Sequence, residues 1–119
     1  MLAPIADAGV DIFDASTRLF STPAFEGSDM GLAGWIKQLT GKPVIAVGGV
    51  GLSKDLQSSF AQPTVMTDNL DLVADRMAQG EFDLIAVGRA LLMDPYWVRK
   101  MRDGSAVDPF RLEAYATLD

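Results

Sequence analysis

The spacing of apolar residues changes several times along the chain, and these changes predict strands that alternate with helices. Three short apolar runs have the length expected of strands, at residues 10–14, 43–47 and 82–87. The first run alternates apolar and polar residues. The other two are almost wholly apolar, which is typical of parallel strands that are covered on both faces.

The segments between these runs carry helix signals, namely capping residues at their starts and glycines at their ends. The predicted helices run over 2–8, from Ser28 or Asp29 to about Leu39, from Asp68 or Asn69 to Gly80, from Asp94 to Gly104 and from Asp108 to Tyr115, with a short helical turn at 53–60. Helical spacing predicts buried stripes on three of them. These stripes are Leu32, Trp35, Ile36 and Leu39; Leu70, Val73, Ala74 and Met77; and Trp97, Val98 and Met101.

The resulting order β-α-β-α-β-α-α predicts an α/β fold with a parallel sheet. Three parallel strands are too few to close, since a (β/α)8 barrel typically needs about 250 residues. With 119 residues, the chain is either an open three-stranded α/β domain or the last part of a barrel.

Composition and charge exclude several classes of function. The chain has 10 basic and 16 acidic residues and a net charge of −6, which disfavours a nucleic-acid partner. It has no His and no Cys, so it has no Ser-His-Asp triad, no thiolate nucleophile and no His- or Cys-based metal site. No targeting sequence or apolar stretch predicts a membrane partner, and the absence of Cys fits a cytoplasmic protein.

Two glycine-containing motifs follow the second and third predicted strands. Gly48, Gly49 and Gly51 permit close approach of a backbone to a phosphate, although a plain tight turn explains them equally well. The segment lacks both the GxGxxG and the P-loop pattern. Gly88 and Arg89 end the next strand, and Arg suits a phosphate or a nearby carboxylate. Since the two motifs follow neighbouring parallel strands, they predict a phosphate-binding rim at one edge of the sheet.

The long segment 16–29 leaves the same predicted edge. Its aromatic residues Phe20 and Phe25 have two interpretations. Long loops at such an edge often line a pocket, but the two rings could equally pack the loop onto the rest of the protein.

Five stretches of the sequence together resemble the old yellow enzyme family of FMN-dependent NAD(P)H:flavin oxidoreductases, which reduce activated alkenes. The resemblance covers essentially the whole chain in order. The stretches are GVDIFDASTR at 9–18, PAFEGSD at 23–29, LAGW at 32–35, TGKPVIAVGGVGL at 40–52 and GEFDLIAVGRALLMDPYW at 80–97.

The resemblance implies a fold, a cofactor and a set of site residues. Residues 1–119 would form the C-terminal portion of a (β/α)8 TIM barrel, comprising about three βα units with strands six to eight. NAD(P)H would reduce bound FMN, and the flavin would pass hydride to the β-carbon of an enone. The implied FMN phosphate ligands are Gly48, Gly49, Gly88 and Arg89, and the implied substrate-pocket residues are Arg18, Phe20, Phe25 and Tyr115.

The family's substrate anchors, proton donor and flavin-ring contacts all precede the region that this sequence resembles. The chain is therefore expected to supply no catalytic residue and no metal ligand, and to be inactive as an isolated ene-reductase. Its expected partner is the N-terminal part of the barrel or further copies of itself. Two alternatives remain at this stage: a phosphate-binding barrel with another ligand, and a non-enzymatic, self-associating barrel fragment.

Overall fold

A parallel sheet of three strands organises the part of the chain that the computed structural model describes, residues 2–53, 65–111 and 113–114. The strands are β1 (Phe13–Ser16), β2 (Val44–Val47) and β3 (Leu84–Ala86), and they lie side by side in chain order. The described helices are α1 (Leu2–Asp7), α2 (Leu32–Thr40), α3 (Leu70–Ala78), α4 (Arg89–Met93) and α5 (Trp97–Asp103). The predicted α/β class and the parallel sheet are thus confirmed.

The register of the sheet separates its residues into two faces. Ala15 of β1, Ala46 of β2 and Ile85 of β3 lie opposite one another, and so do Ser16, Val47 and Ala86. Successive side chains of a strand point to opposite faces, so the first set shares one face and the second set shares the other. The sheet can therefore be buried on one face and open on the other.

The core lies on the face that carries Ala15, Val44 and Ala46, all of which are buried. Helices and connecting segments cover this face with further apolar side chains: Phe20, Ala33, Ile36, Val50, Val73, Phe82, Ala90 and Trp97. Burial of such side chains stabilises a fold by about 1.5–3 kcal/mol each. This single cluster therefore holds the helices against the sheet.

The first strand begins three residues later than its alternating pattern predicts. Its pairing starts at Phe13, whose N–H donates to the Pro43 carbonyl at 3.0 Å and which lies opposite Val44. The preceding Ile12 is exposed and has no strand partner. The alternation in 10–14 is therefore only partly a strand signal, because pairing depends on where β2 begins.

The buried faces of the helices are narrower than predicted. Leu39 is 63% exposed and Val98 60% exposed, and both Ala74 and Met77 face solvent. In α2 the buried residues are Ala33, Gly34 and Ile36. Gly34 faces the side chains of Met30 and Glu81, so part of the buried face of α2 packs on neighbouring segments rather than on the strands.

Helix α2 also starts later than predicted, at Leu32. The Ser28 hydroxyl accepts a hydrogen bond from the Met30 N–H at 3.2 Å. The serine thus forms a local turn ahead of the helix, a conformation that competes with capping for this residue type.

The final predicted helix, from Asp108 to Tyr115, is not formed over 108–111, and Glu113 and Ala114 lie in a 3₁₀ turn. Two backbone groups in 108–111 bind elsewhere: the Asp108 N–H donates to the Asp94 carboxylate, and the Arg111 N–H donates to the Met93 sulfur. These contacts hold the segment extended across the junction of α4 and α5. Tyr115 and nearly all of the predicted turn at 53–60 lie outside the described residues. The predicted end of the preceding helix at Gly104 is confirmed by its left-handed backbone, with φ 73°.

The amino-terminal edge of the sheet is held by Asp83. Its carboxylate accepts hydrogen bonds from Lys37 at 2.8 and 2.9 Å and from the Val44 N–H at 2.9 Å. The Lys37 hydrogen bond, followed by the one from Val44, lowers the pKa of Asp83. The carboxylate therefore joins α2, β2 and the start of β3 at the edge opposite the candidate site.

None of the helices in the described ranges has the length and apolarity needed to cross a membrane.

Candidate functional site

Three loops leave the carboxyl-terminal edge of the sheet, and they carry the residues that the sequence singles out. Segment 17–31 follows β1, segment 48–51 follows β2, and Val87 and Gly88 follow β3. Because the strands are parallel and adjacent in the order β1-β2-β3, these loops emerge side by side. Ligands of parallel α/β sheets bind preferentially at this edge.

Gly48 and Gly49 have positive φ angles of 135° and 73°. A Cβ atom at Gly48 would clash with the Thr17 carbonyl oxygen, and one at Gly49 would lie 2.5 Å from Leu19 Cδ2. The Phe20 N–H donates to the Gly48 carbonyl at 2.9 Å. Both glycines are therefore needed by the neighbouring loop, a packing role that the sequence pattern alone does not reveal.

The glycine turn is braced by Asn69, which immediately precedes α3. Its side-chain oxygen accepts a hydrogen bond from the Gly51 N–H at 2.8 Å, and its amide donates to the Gly49 carbonyl at 3.0 Å. The N–H groups of Gly49 and Val50 donate to no acceptor within the described residues. Successive N–H groups in a turn of this kind form a concavity that accepts anions.

Gly88 and Arg89 lie where β3 passes into α4. The Gly88 carbonyl accepts hydrogen bonds from the N–H groups of Leu91 and Leu92, at 3.0 and 3.1 Å. A Cβ at Gly51 would lie only 3.0 Å from Ala90 Cβ. The glycine turn therefore packs directly against the start of α4, and the structure brings the two motifs together at one edge.

Phe20 is a core residue. It is 5% exposed, and its ring meets Phe82 edge to face, with centroids 6.2 Å apart. Phe25 is exposed and packs edge to face on Trp35 at 5.3 Å. The geometry thus favours the packing interpretation of both rings.

Arg76 of α3 fixes the far side of segment 17–31. Its guanidinium donates to the Asp29 carbonyl at 2.7 Å and to the Ser21 carbonyl at 3.5 Å. It also binds the buried Glu81 carboxylate at 2.9 Å. The sequence gives no sign of this pair, because neither partner shows which loop lies between them.

Segment 17–31 and the start of α2 line a cavity of about 390 Å³ that is open to solvent. Of the four residues predicted for the substrate pocket, Arg18 lines this cavity, whereas Phe20 and Phe25 do not. Tyr115 lies outside the described residues. The lining residues are Thr17, Arg18, Leu19, Thr22, Pro23, Ala24 and Leu32.

Asp94 holds α4 in place behind the site. Its buried carboxylate accepts hydrogen bonds from Lys100 Nζ at 2.6 Å and from the N–H groups of Asp108 and Tyr96, both at 2.9 Å. The bond from Lys100, followed by that from the Asp108 N–H, lowers the pKa of Asp94, and the bond to Asp94 raises the pKa of Lys100. Since α4 begins at Arg89, this junction positions the start of the helix.

Within the described ranges, no group of three or more acidic side chains is arranged to hold a metal ion. Comparison of the chain with protein-family models and with curated proteins finds no match.

Proposed function

We propose that this chain is the C-terminal portion of a (β/α)8 barrel and supplies the flavin phosphate site of an FMN-dependent NAD(P)H:flavin oxidoreductase of the old yellow enzyme type. The observation that carries the proposal is the position of two motifs. Gly48 and Gly49 follow β2, and Gly88 and Arg89 follow β3, at the same edge of adjacent parallel strands. The family resemblance assigns a phosphate to these same four residues.

The two faces of the sheet support the barrel. Helices cover one face, whereas the other carries half-buried Ile45 and Val47 of β2 together with Leu84, which is 53% exposed. In a (β/α)8 barrel, helices surround the strands and the opposite face fills the barrel interior with branched apolar side chains. The open face is apolar on β2 and β3, which fits such an interior, whereas on β1 it carries Asp14 and Ser16.

The residues at the edge fit a phosphate. The N–H groups of Gly49 and Val50 are donors without acceptors in the described residues, and Arg89 adds a positive charge and a planar set of donors. In this proposal the amides and Arg89 bind and orient the phosphate end of FMN. Asn69 keeps the turn in shape through its two hydrogen bonds.

The bound flavin would supply the hydride-transfer chemistry between NAD(P)H and an activated alkene, while the protein would supply binding and orientation. The residues of this chain hold the phosphate end and do not move a proton. The substrate anchors and the proton donor that the resemblance implies belong to the preceding part of the barrel.

The proposal is tested by titrating the 119-residue chain with FMN and with riboflavin, which lacks the phosphate, and following quenching of flavin fluorescence. FMN is expected to bind at least tenfold more tightly than riboflavin. Arg89→Ala should weaken FMN binding by about 1.5–3 kcal/mol, which is roughly ten- to 150-fold. The affinity for riboflavin should stay the same in the variant.

Arg102→Ala is the matched control, because Arg102 is exposed on α5 and pairs with Asp103. It removes the same charge without touching the edge of the sheet. Equal affinities for FMN and riboflavin would contradict the proposed phosphate site. So would an Arg89→Ala variant that binds FMN as tightly as the native chain does.

A further inference from the structure

The cavity beside β1 combines an apolar lining with a single charge. Apolar side chains of Leu19, Pro23, Ala24 and Leu32 form most of its wall. The Thr17 hydroxyl already donates to the Val47 carbonyl at 2.8 Å. Among the described residues that line the cavity, Arg18 is the only charged one, so it favours a ligand of negative charge.

Arg18 differs from the other arginines in the described ranges. Arg76, Arg102 and Arg111 bind a carboxylate or a carbonyl, and Arg99 lies over the Tyr96 ring. Arg89 is also engaged. Arg18 alone makes no ion pair, hydrogen bond or ring contact through its guanidinium to a protein group within the described residues. In a chain with 16 acidic and 10 basic residues, protein carboxylates are plentiful, yet none pairs with this arginine.

We propose that this cavity binds a small organic carboxylate, with its apolar body against Leu19, Pro23 and Leu32 and its carboxylate on the Arg18 guanidinium. The planar donors of arginine match the two oxygens of a carboxylate. A volume of about 390 Å³ lies in the range of small-molecule sites.

The cavity adjoins the glycine turn. Thr17 and Leu19 line the cavity and also approach Gly48 and Gly49 more closely than a Cβ atom at either glycine would permit. The ligand would therefore lie next to the flavin site. If the proposed function holds, on which this step rests, the substrate class is an activated alkene that carries a carboxylate, an α,β-unsaturated acid.

The inference is tested on the 119-residue chain without flavin, by calorimetric titration with trans-cinnamate and with trans-cinnamamide. The two probes have nearly the same shape, but only cinnamate is charged at neutral pH. Cinnamate is expected to bind about tenfold more tightly. Arg18→Gln should remove the difference between the probes, and Arg18→Lys should restore part of it, because lysine keeps the charge without the planar donors.

Arg102→Gln controls for the change in net charge and should bind cinnamate like the native chain. Arg18 is exposed, so the variants are expected to fold, and far-ultraviolet circular dichroism checks this. Equal binding of the two probes by the native chain, or unchanged cinnamate binding by a folded Arg18→Gln variant, would overturn the inference.

The two proposals fail separately. Arg89→Ala should weaken the binding of FMN and leave the binding of cinnamate unchanged. Arg18→Gln should weaken the binding of cinnamate and leave the binding of FMN unchanged. Cinnamate binding through Arg18 in a chain with no phosphate-dependent flavin binding would keep the carboxylate site and refute the flavin site. Phosphate-dependent flavin binding, together with no preference for cinnamate over cinnamamide, would keep the flavin site and refute the carboxylate site.

Discussion

The glycines after β2 face two different neighbours. Gly48 and Gly49 lie against residues 17–19, whereas Gly51 lies against Ala90 and the Trp97 indole. One short turn thus meets the loop after β1 on one side and α4 and α5 on the other. Gly48 and Gly49 are only half-buried, so packing and anion binding do not exclude each other at these two positions.

Gly51→Ala is expected to destabilise the protein more than Gly41→Ala does. Both glycines have positive φ, 79° and 68°, so both substitutions carry backbone strain of about 1–2 kcal/mol. A Cβ at Gly51 would also lie 3.0 Å from Ala90 and Trp97 atoms, whereas one at Gly41 meets nothing within 4 Å. The additional cost of overpacking at Gly51 is about 1–3 kcal/mol. Urea unfolding of the two variants measures the difference, and equal destabilisation would contradict the packing at Gly51.

The sequence predicts that these glycines lie at the end of β2, because they follow a wholly apolar run. It does not predict which residues of other segments pack against them. The approach of Thr17 to Gly48 depends on the order of the strands and on the path of a long loop. The same holds for Arg76 and Glu81, whose pairing is favourable only because the Asp29 carbonyl lies beside them.

At the level of the elements, the three strands and four of the five described helices are predicted from the sequence, whereas α4 (Arg89–Met93) is not. Boundaries and buried faces depend on packing. The sequence predicts β2 to within one residue, because its run of apolar residues is bounded by Pro43 and Gly48. Helix α2 is predicted too early and with too wide a buried face. Gly34 faces Met30 and Glu81, and helical spacing contains no information about which segments pack on a helix.

The junction of α4 and α5 should make the stability of the protein depend on pH. The pKa of Asp94 is lowered in the folded state below the ordinary value of 3.8. The unfolded chain therefore binds more protons in acid, so the contribution of Asp94 is complete above about pH 4 and is lost as the pH falls through the folded pKa. The pKa of Lys100 is raised above 10.5, so its contribution is lost only as the pH rises beyond that value.

Asp94→Asn should accordingly be less stable than the native protein at pH 7, with a smaller loss of stability between pH 5 and pH 2. Thermal unfolding across this range gives the comparison. Asp103→Asn is the control, since Asp103 is exposed and pairs only with its neighbour Arg102. A parallel decline of the native protein and Asp94→Asn in acid would show that Asp94 does not carry this dependence. The pKa of Asp83 is also lowered, so the native protein and Asp94→Asn should both still lose some stability in acid.

For the molecule as a whole, the open face of the sheet has the largest consequence. It carries Ile45, Val47 and Leu84, and on β1 the exposed pair Asp14 and Ser16, whose side chains are hydrogen-bonded at 2.8 Å. In the proposed barrel this face is interior. In the isolated chain it stays open within the described residues, as do the outer edges of β1 and β3. An unpaired strand edge beside an apolar face favours pairing with another chain.

The isolated chain is therefore expected to form dimers or larger oligomers through this face. Burying apolar surface yields roughly 25 cal/mol per Å², so a few hundred Å² supply several kcal/mol. The net charge of −6 opposes association only weakly, because salt screens surface charges within about 8–10 Å.

Light scattering over a concentration series measures the assembly. Leu84→Lys should raise the dissociation constant at least tenfold, because a charge would replace an exposed apolar side chain of the open face. Leu39→Lys places the same charge on the exposed side of α2 and should leave the assembly unchanged. A monomer that stays intact at high micromolar concentration and unfolds cooperatively would show that the open face needs no partner.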